Sequence, residues 1–100
     1  MAQVNWTLNA INELDDVAEY IALSNPIAAI ELVQTVFEKA QRLEDFPESG
    51  RIPPELENFP YREIIVNPLR VFYKIQNKDI FILHVMRQER DLQNFMLDES

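Results

Sequence analysis

Apolar residues recur at two spacings along this chain, helical up to about residue 46 and alternating from residue 62 onward. Gln3 to Trp6 reads as a short opening strand, with Val4 and Trp6 on one face. Ala10, Ile11, Leu14, Val17, Ala18 and Ile21 then follow three-and-four spacing, the stripe of an amphipathic helix. Thr7 or Asn9 supplies its cap, because either side-chain oxygen can accept a free first-turn N–H. Glu13, Asp15, Asp16 and Glu19 are predicted to lie on the opposite, solvated side. Ser24-Asn25-Pro26 ends this helix and starts another, with Asn25 as cap and Pro26 at the first position, where its missing N–H costs nothing. Ala29, Leu32, Val33, Val36, Phe37, Ala40 and Leu43 form a second stripe, predicted to run to about Phe46. So short a connection makes the pair an antiparallel helical hairpin.

Pro47 stops the second helix, and the stretch to Pro60 holds four of the six prolines and the sole glycine, Gly50. It reads as an irregular loop, with Gly50 expected at a backbone angle other residues resist. From Arg62 the period becomes two. Arg62 to Asn67, Leu69 to Ile75 and Ile80 to Met86 are strand-like and rich in Ile, Val, Phe and Tyr. Gln76-Asn77-Lys78-Asp79 is a natural hairpin turn. In the middle strand Leu69, Val71, Tyr73 and Ile75 share the face assigned to the helices, leaving Arg70, Phe72 and Lys74 on the other. In the last strand Phe81, Leu83 and Val85 are predicted to face the helices, with Ile80, Ile82, His84 and Met86 behind. Two faces this apolar imply that the second is covered, by the tail Gln93–Ser100 or by a partner chain. The order strand–helix–helix–strand–strand–strand predicts an α+β domain: an N-terminal strand and a helical hairpin packed on one face of a small, mainly antiparallel sheet.

Length and charge narrow the class. One hundred residues make a single domain, 1–100, that buries only about 60–65% of its unfolded surface and gains from a partner. With no cysteine, neither disulfides nor thiolate metal sites are available. No basic, apolar leader opens the chain and no run approaches the ~20 apolar residues of a membrane span, so a cytoplasmic protein is expected. The net charge is −8, and residues 1–38 hold six carboxylates with no Lys or Arg. Between residues 61 and 90 the sign reverses, with Arg62, Arg70, Lys74, Lys78, Arg87 and Arg90 against Glu63, Asp79 and Glu89. Nucleic-acid binders draw most of their affinity from phosphate neutralisation. An acidic chain with one local basic patch suits a specific protein surface better, and direct DNA binding by this chain alone is not expected.

No phosphate-binding glycine loop, His-Glu-x-x-His, Cys/His cluster or Gly-x-Ser-x-Gly is present, so no metal or cofactor is implied. The single histidine, His84, lies in a strand, where a lone histidine more often packs or hydrogen-bonds than catalyses. As a general base it needs a substrate in reach and an orienting partner, and the sequence identifies neither. Arg62, Arg70, Arg87 and Arg90 admit two readings. One is charge balance, with Arg87 near Glu89 and Arg90 beside Asp91. The other is bidentate recognition of carboxylate or phosphate, which Arg performs better than Lys.

The run Trp6…Ala10…Leu14-Asp15…Tyr20-Ile21…Asn25-Pro26…Ala28-Ala29, followed by Phe46-Pro47-Glu48-Ser49-Gly50-Arg51, Arg62-Glu63-Ile64, Arg70-Val71-Phe72-Tyr73-Lys74-Ile75 and Ile82-Leu83-His84-Val85-Met86-Arg87…Arg90-Asp91, resembles the ParE branch of the RelE/ParE toxin superfamily. The resemblance spans nearly the whole chain and rests on the order and spacing of the pieces. It implies two helices against a curved sheet. It implies a toxin neutralised by a cognate antitoxin whose C-terminal segment wraps it.

It further implies one of two targets. ParE-like members are understood to inhibit DNA gyrase without an established hydrolytic site, whereas RelE-like members cut messenger RNA on the ribosome with clustered basic residues. The RelE-like mechanism needs dense positive charge to stabilise a developing phosphorane. Here Glu55 and Glu57 occupy the stretch where the RelE-like enzymes carry a lysine pair, and no tyrosine follows His84. The expectation is therefore a gyrase inhibitor acting by protein–protein contact rather than an enzyme. Arg62, Arg70, Phe72, Lys74, Arg87 and Arg90 are its candidate target- or antitoxin-binding residues. The alternatives are a ribonuclease built on Arg70, His84 and Arg87, and a non-toxic antitoxin-binding module. A basic antitoxin segment would lie against Asp15, Asp16 and Glu19, an acidic one against Arg62, Arg70, Arg87 and Arg90.

Overall fold

Side-chain caps set the start of both helices. The Thr7 hydroxyl oxygen accepts the Ala10 N–H at 3.2 Å, satisfying one of the N–H groups a helix leaves open at its start. Helix α1 accordingly spans Leu8–Ala22, after a short strand β1 at Val4–Trp6. Asn25 does the same for the Ala28 N–H, and α2 spans Pro26–Gln41. The expected continuation to Phe46 is corrected: beyond Gln41 the chain tightens into a 3-10 turn at Arg42–Glu44. Pro47 disfavours helical angles in Phe46, and a 3-10 turn is a common way to close a last turn. Leu43 still reaches the core from it. The computed structural model describes residues 2–88.

Three further strands, β2 (Arg62–Val66), β3 (Leu69–Gln76) and β4 (Asp79–Arg87), complete a four-stranded sheet of order β1-β4-β3-β2. β1 runs parallel to β4 and the other pairs are antiparallel. The β3–β4 hairpin turns on Asn77 and Lys78, both at positive φ (54° and 71°), the arrangement whose twist matches that of the flanking strands. The helices cover one face of the sheet. Ala10, Leu14, Val36 and Ala40 meet Leu69, Val71, Tyr73 and Ile82 in the main core. The Trp6 ring lies 4.8 Å from that of Phe37, joining β1 to α2. Among the described residues no helix is long and apolar enough to cross a membrane.

The last strand departs from the simple alternation. Phe72 pairs with His84 but Tyr73 pairs with Ile82, so Leu83 is an extra residue in β4, a bulge. One inserted residue inverts the facing of everything on one side of it. Ile80 and Ile82 therefore join Val85 in the core beneath the helices, correcting the prediction that Phe81 and Leu83 would. Phe81 instead pairs with Lys74 on the far face. That far face is covered in part by the chain's own loop. Leu56, from a 3-10 turn at Pro54–Leu56, seals Phe72 and Met86, with Tyr61 alongside. The tail Gln93–Ser100, expected as a cover in alternative to a partner chain, lies outside the described residues.

Gly50 is required for close approach, not for an unusual backbone angle, since no glycine takes a positive φ. A Cβ there would meet the Tyr73 hydroxyl at 2.5 Å, its ring at 2.6 Å and the Glu63 carbonyl at 2.8 Å. The Tyr73 hydroxyl accepts the Gly50 N–H at 2.9 Å and donates to the Pro47 carbonyl at 2.7 Å, so the buried ring cannot retreat without leaving polar groups unpaired. Gly50→Ala is expected to destabilise the fold by about 2 kcal/mol, lowering Tm by roughly 10 °C. A urea titration and a thermal melt followed by circular dichroism measure this, and an unchanged midpoint would contradict it.

Candidate functional site

Of the polar residues on the far face of the sheet, Arg70 is the most constrained. β3 presents it between β2 and the 3-10 turn of the loop, and only 6% of the residue is exposed. Its Nε donates to Glu63 Oε1 at 2.6 Å and its Nη2 to Glu63 Oε2 at 3.1 Å. Its other edge donates to Glu55, Nη1 to Oε2 at 2.8 Å and Nη2 to Oε1 at 3.0 Å. Arg51 donates from Nε to Glu63 Oε2 at 2.8 Å, so the buried Glu63 carboxylate is shared by two guanidiniums. These contacts raise the Arg70 pKa, first through the hydrogen bonds it donates to Glu55 and then through those it donates to Glu63. The Glu55 carboxyl is held below its ordinary value, chiefly by the hydrogen bonds from Arg70. Arg70 is therefore not the exposed cation expected of the far face. Phe72, the expected surface contact, is wholly buried beneath its guanidinium, 5.0 Å from the ring centre.

The remaining candidates are distributed over both faces. Lys74 is half-buried on the far face opposite Phe81. Arg62 donates from Nη1 to the carbonyls of Glu48 and Gly50, at 3.2 and 2.8 Å, and so fastens the loop. His84 registers opposite Phe72 on the far face, yet its Nδ1 reaches Glu13 of α1 at 3.3 and 3.4 Å around the open edge of β4. Arg87 registers opposite Leu69, on the helix side, with its guanidinium 5.6 Å from the centre of the Tyr20 ring. Arg70 and Arg87 thus lie on opposite faces, so the sheet does not bring Arg70, His84 and Arg87 into one cleft. Arg90 lies outside the described residues.

Three carboxylates were missed as functional or structural partners. Glu13 does not sit on the solvated face of α1: besides His84, it accepts the Val85 N–H at 3.0 Å, where β1 has ended and β4 has a strand partner only on its β3 side. Its position three residues after Ala10 and four before Val17, on the border of the stripe, is the signal that could have found it. Glu63 sits at the helix-distal phase of β2, opposite Phe72, and alternation alone could have flagged it as covered. Glu55 gave no local signal. Among the described residues no group of three or more His, Asp and Glu is arranged to hold a metal ion.

Because Glu63 has no exposed side-chain surface and Arg70 only 7%, removing either partner strands a buried charge. Arg70→Met is expected to cost about 3–5 kcal/mol in urea unfolding, with Arg70→Met/Glu63→Gln costing less than the two single changes together. Additive losses would show that the pair is not coupled. The Glu55 contact has its own pH signature. Its folded pKa is depressed, so its contribution is fully present above the ordinary carboxylate range and is lost as pH falls through the depressed value. Urea midpoints for the wild type and Glu55→Gln should differ at pH 7 and converge in acid; a gap that persists at low pH would exclude this linkage.

A family profile described as the ParE toxin of the type II toxin–antitoxin system parDE matches residues 4–92. The chain is 33% identical over 86 residues to the Y4kP protein of Sinorhizobium fredii, covering 84% of this chain and 85% of that protein. It is 31% identical over 91 residues to Toxin RelE2 of Caulobacter vibrioides, covering 90% and 99%. Its fold matches a chain of the chromosomal ParDE toxin–antitoxin system from P. aeruginosa with a TM-score of 0.75 at 23% identity, covering 89% of this chain and 98% of that one.

Proposed function

The chain belongs to the ParE toxin family of type II toxin–antitoxin systems, and from that premise we propose that it inhibits DNA gyrase by gripping the enzyme and is neutralised by a cognate antitoxin. The observation that carries this reading is the separation of its arginines. Arg70 lies on the far face with its inner edge held by the buried Glu63, and Arg87 lies on the other face of the sheet. Phosphodiester cleavage calls for convergent cations at the developing charge, whereas inhibition by contact does not. A chain of net charge −8 also gains little from following a phosphate backbone.

An antitoxin segment finds support on the helical hairpin. An apolar groove of about 440 Å³ runs between α1 and α2, lined by Ala18, Ala22, Ala29, Ile30 and Val33, with Glu19 at its rim. Leu23 and Ile27 stand exposed near its end. A segment that folds on binding buries such residues against its own apolar side. On the same proposal the chain acts in the cytoplasm, where it would meet both partners.

One observation favours the second reading, a ribosome-dependent ribonuclease of RelE type. Glu13 lies within hydrogen-bond reach of His84, and an oriented imidazole is what a general base needs. The two readings separate on expression in a bacterial host. For a gyrase inhibitor, supercoiling falls while messages stay intact, His84→Ala keeps its toxicity and co-expression of the adjacent reading frame restores growth. Fragmented messages with normal supercoiling, abolished by His84→Ala in a folded protein, would replace it with the ribonuclease. Normal growth on well-folded protein would leave a binding module.

A further inference from the structure

We propose that Arg70 forms a recognition site for a carboxylate side chain of a partner protein, and that in the free chain Glu55 occupies that site as an internal stand-in. The two edges of the guanidinium are held in different ways. Its inner edge meets Glu63, which has no exposed side-chain surface, is shared with Arg51 and sits within β2. Its outer edge meets Glu55, whose side chain is 36% exposed and comes from an irregular loop. The Glu55 contact is a two-point fork, Nη1 to Oε2 and Nη2 to Oε1, the geometry in which arginine recognises carboxylates.

What holds the loop down suggests what could replace it. The backbone hydrogen bonds of the turn are local, from the Leu56 N–H to the Pro53 carbonyl and from the Phe59 N–H to the Leu56 carbonyl. Among the described residues, its attachment to the far face includes adjacent side chains: Glu55 on Arg70, and Leu56 on Phe72 and Met86. An acidic residue followed by an apolar one is also the kind of short linear element a protein partner can supply. Among the described residues, withdrawing Glu55 would leave the Arg51 and Arg70 guanidiniums sharing the Glu63 carboxylate, a balance of one positive charge that suits one carboxylate. A nucleic-acid strand would bring further phosphates onto a chain of net charge −8. The two bonds from its inner edge to the buried Glu63 orient the guanidinium, and Phe72 packs beneath it at 5.0 Å, so the fork is preformed. The proposal stands whichever target the toxin has.

The test is chemical rescue. Purified Glu55→Ala is melted with increasing sodium formate, and with sodium chloride and sodium phosphate at matched ionic strength. Formate should restore the lost Tm saturably, chloride should not, and Glu55→Gln, which fills the site with a neutral side chain, should not respond to formate. In parallel, the Arg70 Nη–H resonances of the wild-type chain, which face the Glu55 position, are followed by NMR against N-acetyl-Glu-Leu-amide and N-acetyl-Gln-Leu-amide. The Glu peptide should shift them and the Gln peptide should not. A folded Glu55→Ala with no saturable formate response overturns the proposal, as does equal rescue by chloride. Stronger rescue by phosphate than by formate replaces the carboxylate ligand with a phosphate. If Glu55→Ala does not fold, an Arg70 resonance indifferent to the Glu peptide overturns the proposal alone.

Discussion

A carboxylate with no exposed surface has to be matched where it stands, and Glu63 organises the far side of this sheet for that reason. An unpaired charge of that kind would be among the costliest features a small domain could carry. Arg70 from β3 and Arg51 from the loop both converge on it. The Arg51 and Glu63 backbones also exchange hydrogen bonds, of 3.0 and 2.8 Å. The irregular stretch after Pro47 is thereby drawn along the outer edge of β2, an edge that would otherwise present unpaired groups to solvent. Arg62 and Tyr73 complete the attachment through the carbonyls of Glu48, Gly50 and Pro47.

The opposite edge of the sheet is managed by other means. β1 is short and accompanies β4 only as far as Ile82. Where it ends, Thr7 donates to the Ile82 carbonyl at 2.8 Å and Glu13 accepts the Val85 N–H. One helix thus takes over from a strand. The bulge at Leu83 lies at this handover, and the local change of facing lets His84 reach Glu13 while Val85 remains in the core. The helical hairpin, the loop and β1 each close a different part of a sheet that could not stand alone.

The functional reading follows from where charge is consumed. Among the described residues, four arginines of the second half serve internal contacts: Arg70 and Arg51 on carboxylates, Arg62 on carbonyls, Arg87 over an aromatic ring. Basic residues bound up in this way contribute less to phosphate contact than their number in the sequence suggests. Apolar surface, by contrast, remains exposed on the helical hairpin at Leu23, Ile27 and Ile30, which suits contact with a protein such as a cognate antitoxin.

Local chemistry made much of the architecture legible in advance. The caps at Thr7 and Asn25, the proline after α2 and the Asn77-Lys78 turn act over a few residues, so the sequence by itself determined both helices, the hairpin and the order of elements along the chain, while the pairing of β1 with β4 came from the fold. The resemblance to toxins likewise needed only the order of short motifs. Tertiary structure decided what depends on distant partners. A single extra residue at Leu83 reversed the facing of Ile80 and Ile82, and a period-two pattern has no means of recording it. Arg70 read as an exposed cation because its partners, Glu63 and Glu55, are 7 and 15 residues away in sequence and on different elements. Gly50 read as a backbone requirement because the Tyr73 hydroxyl that excludes a side chain there comes from 23 residues further on. Burial and ion pairing are properties of the packed chain, set by which elements meet, and a linear pattern carries only the periodicity of one element at a time.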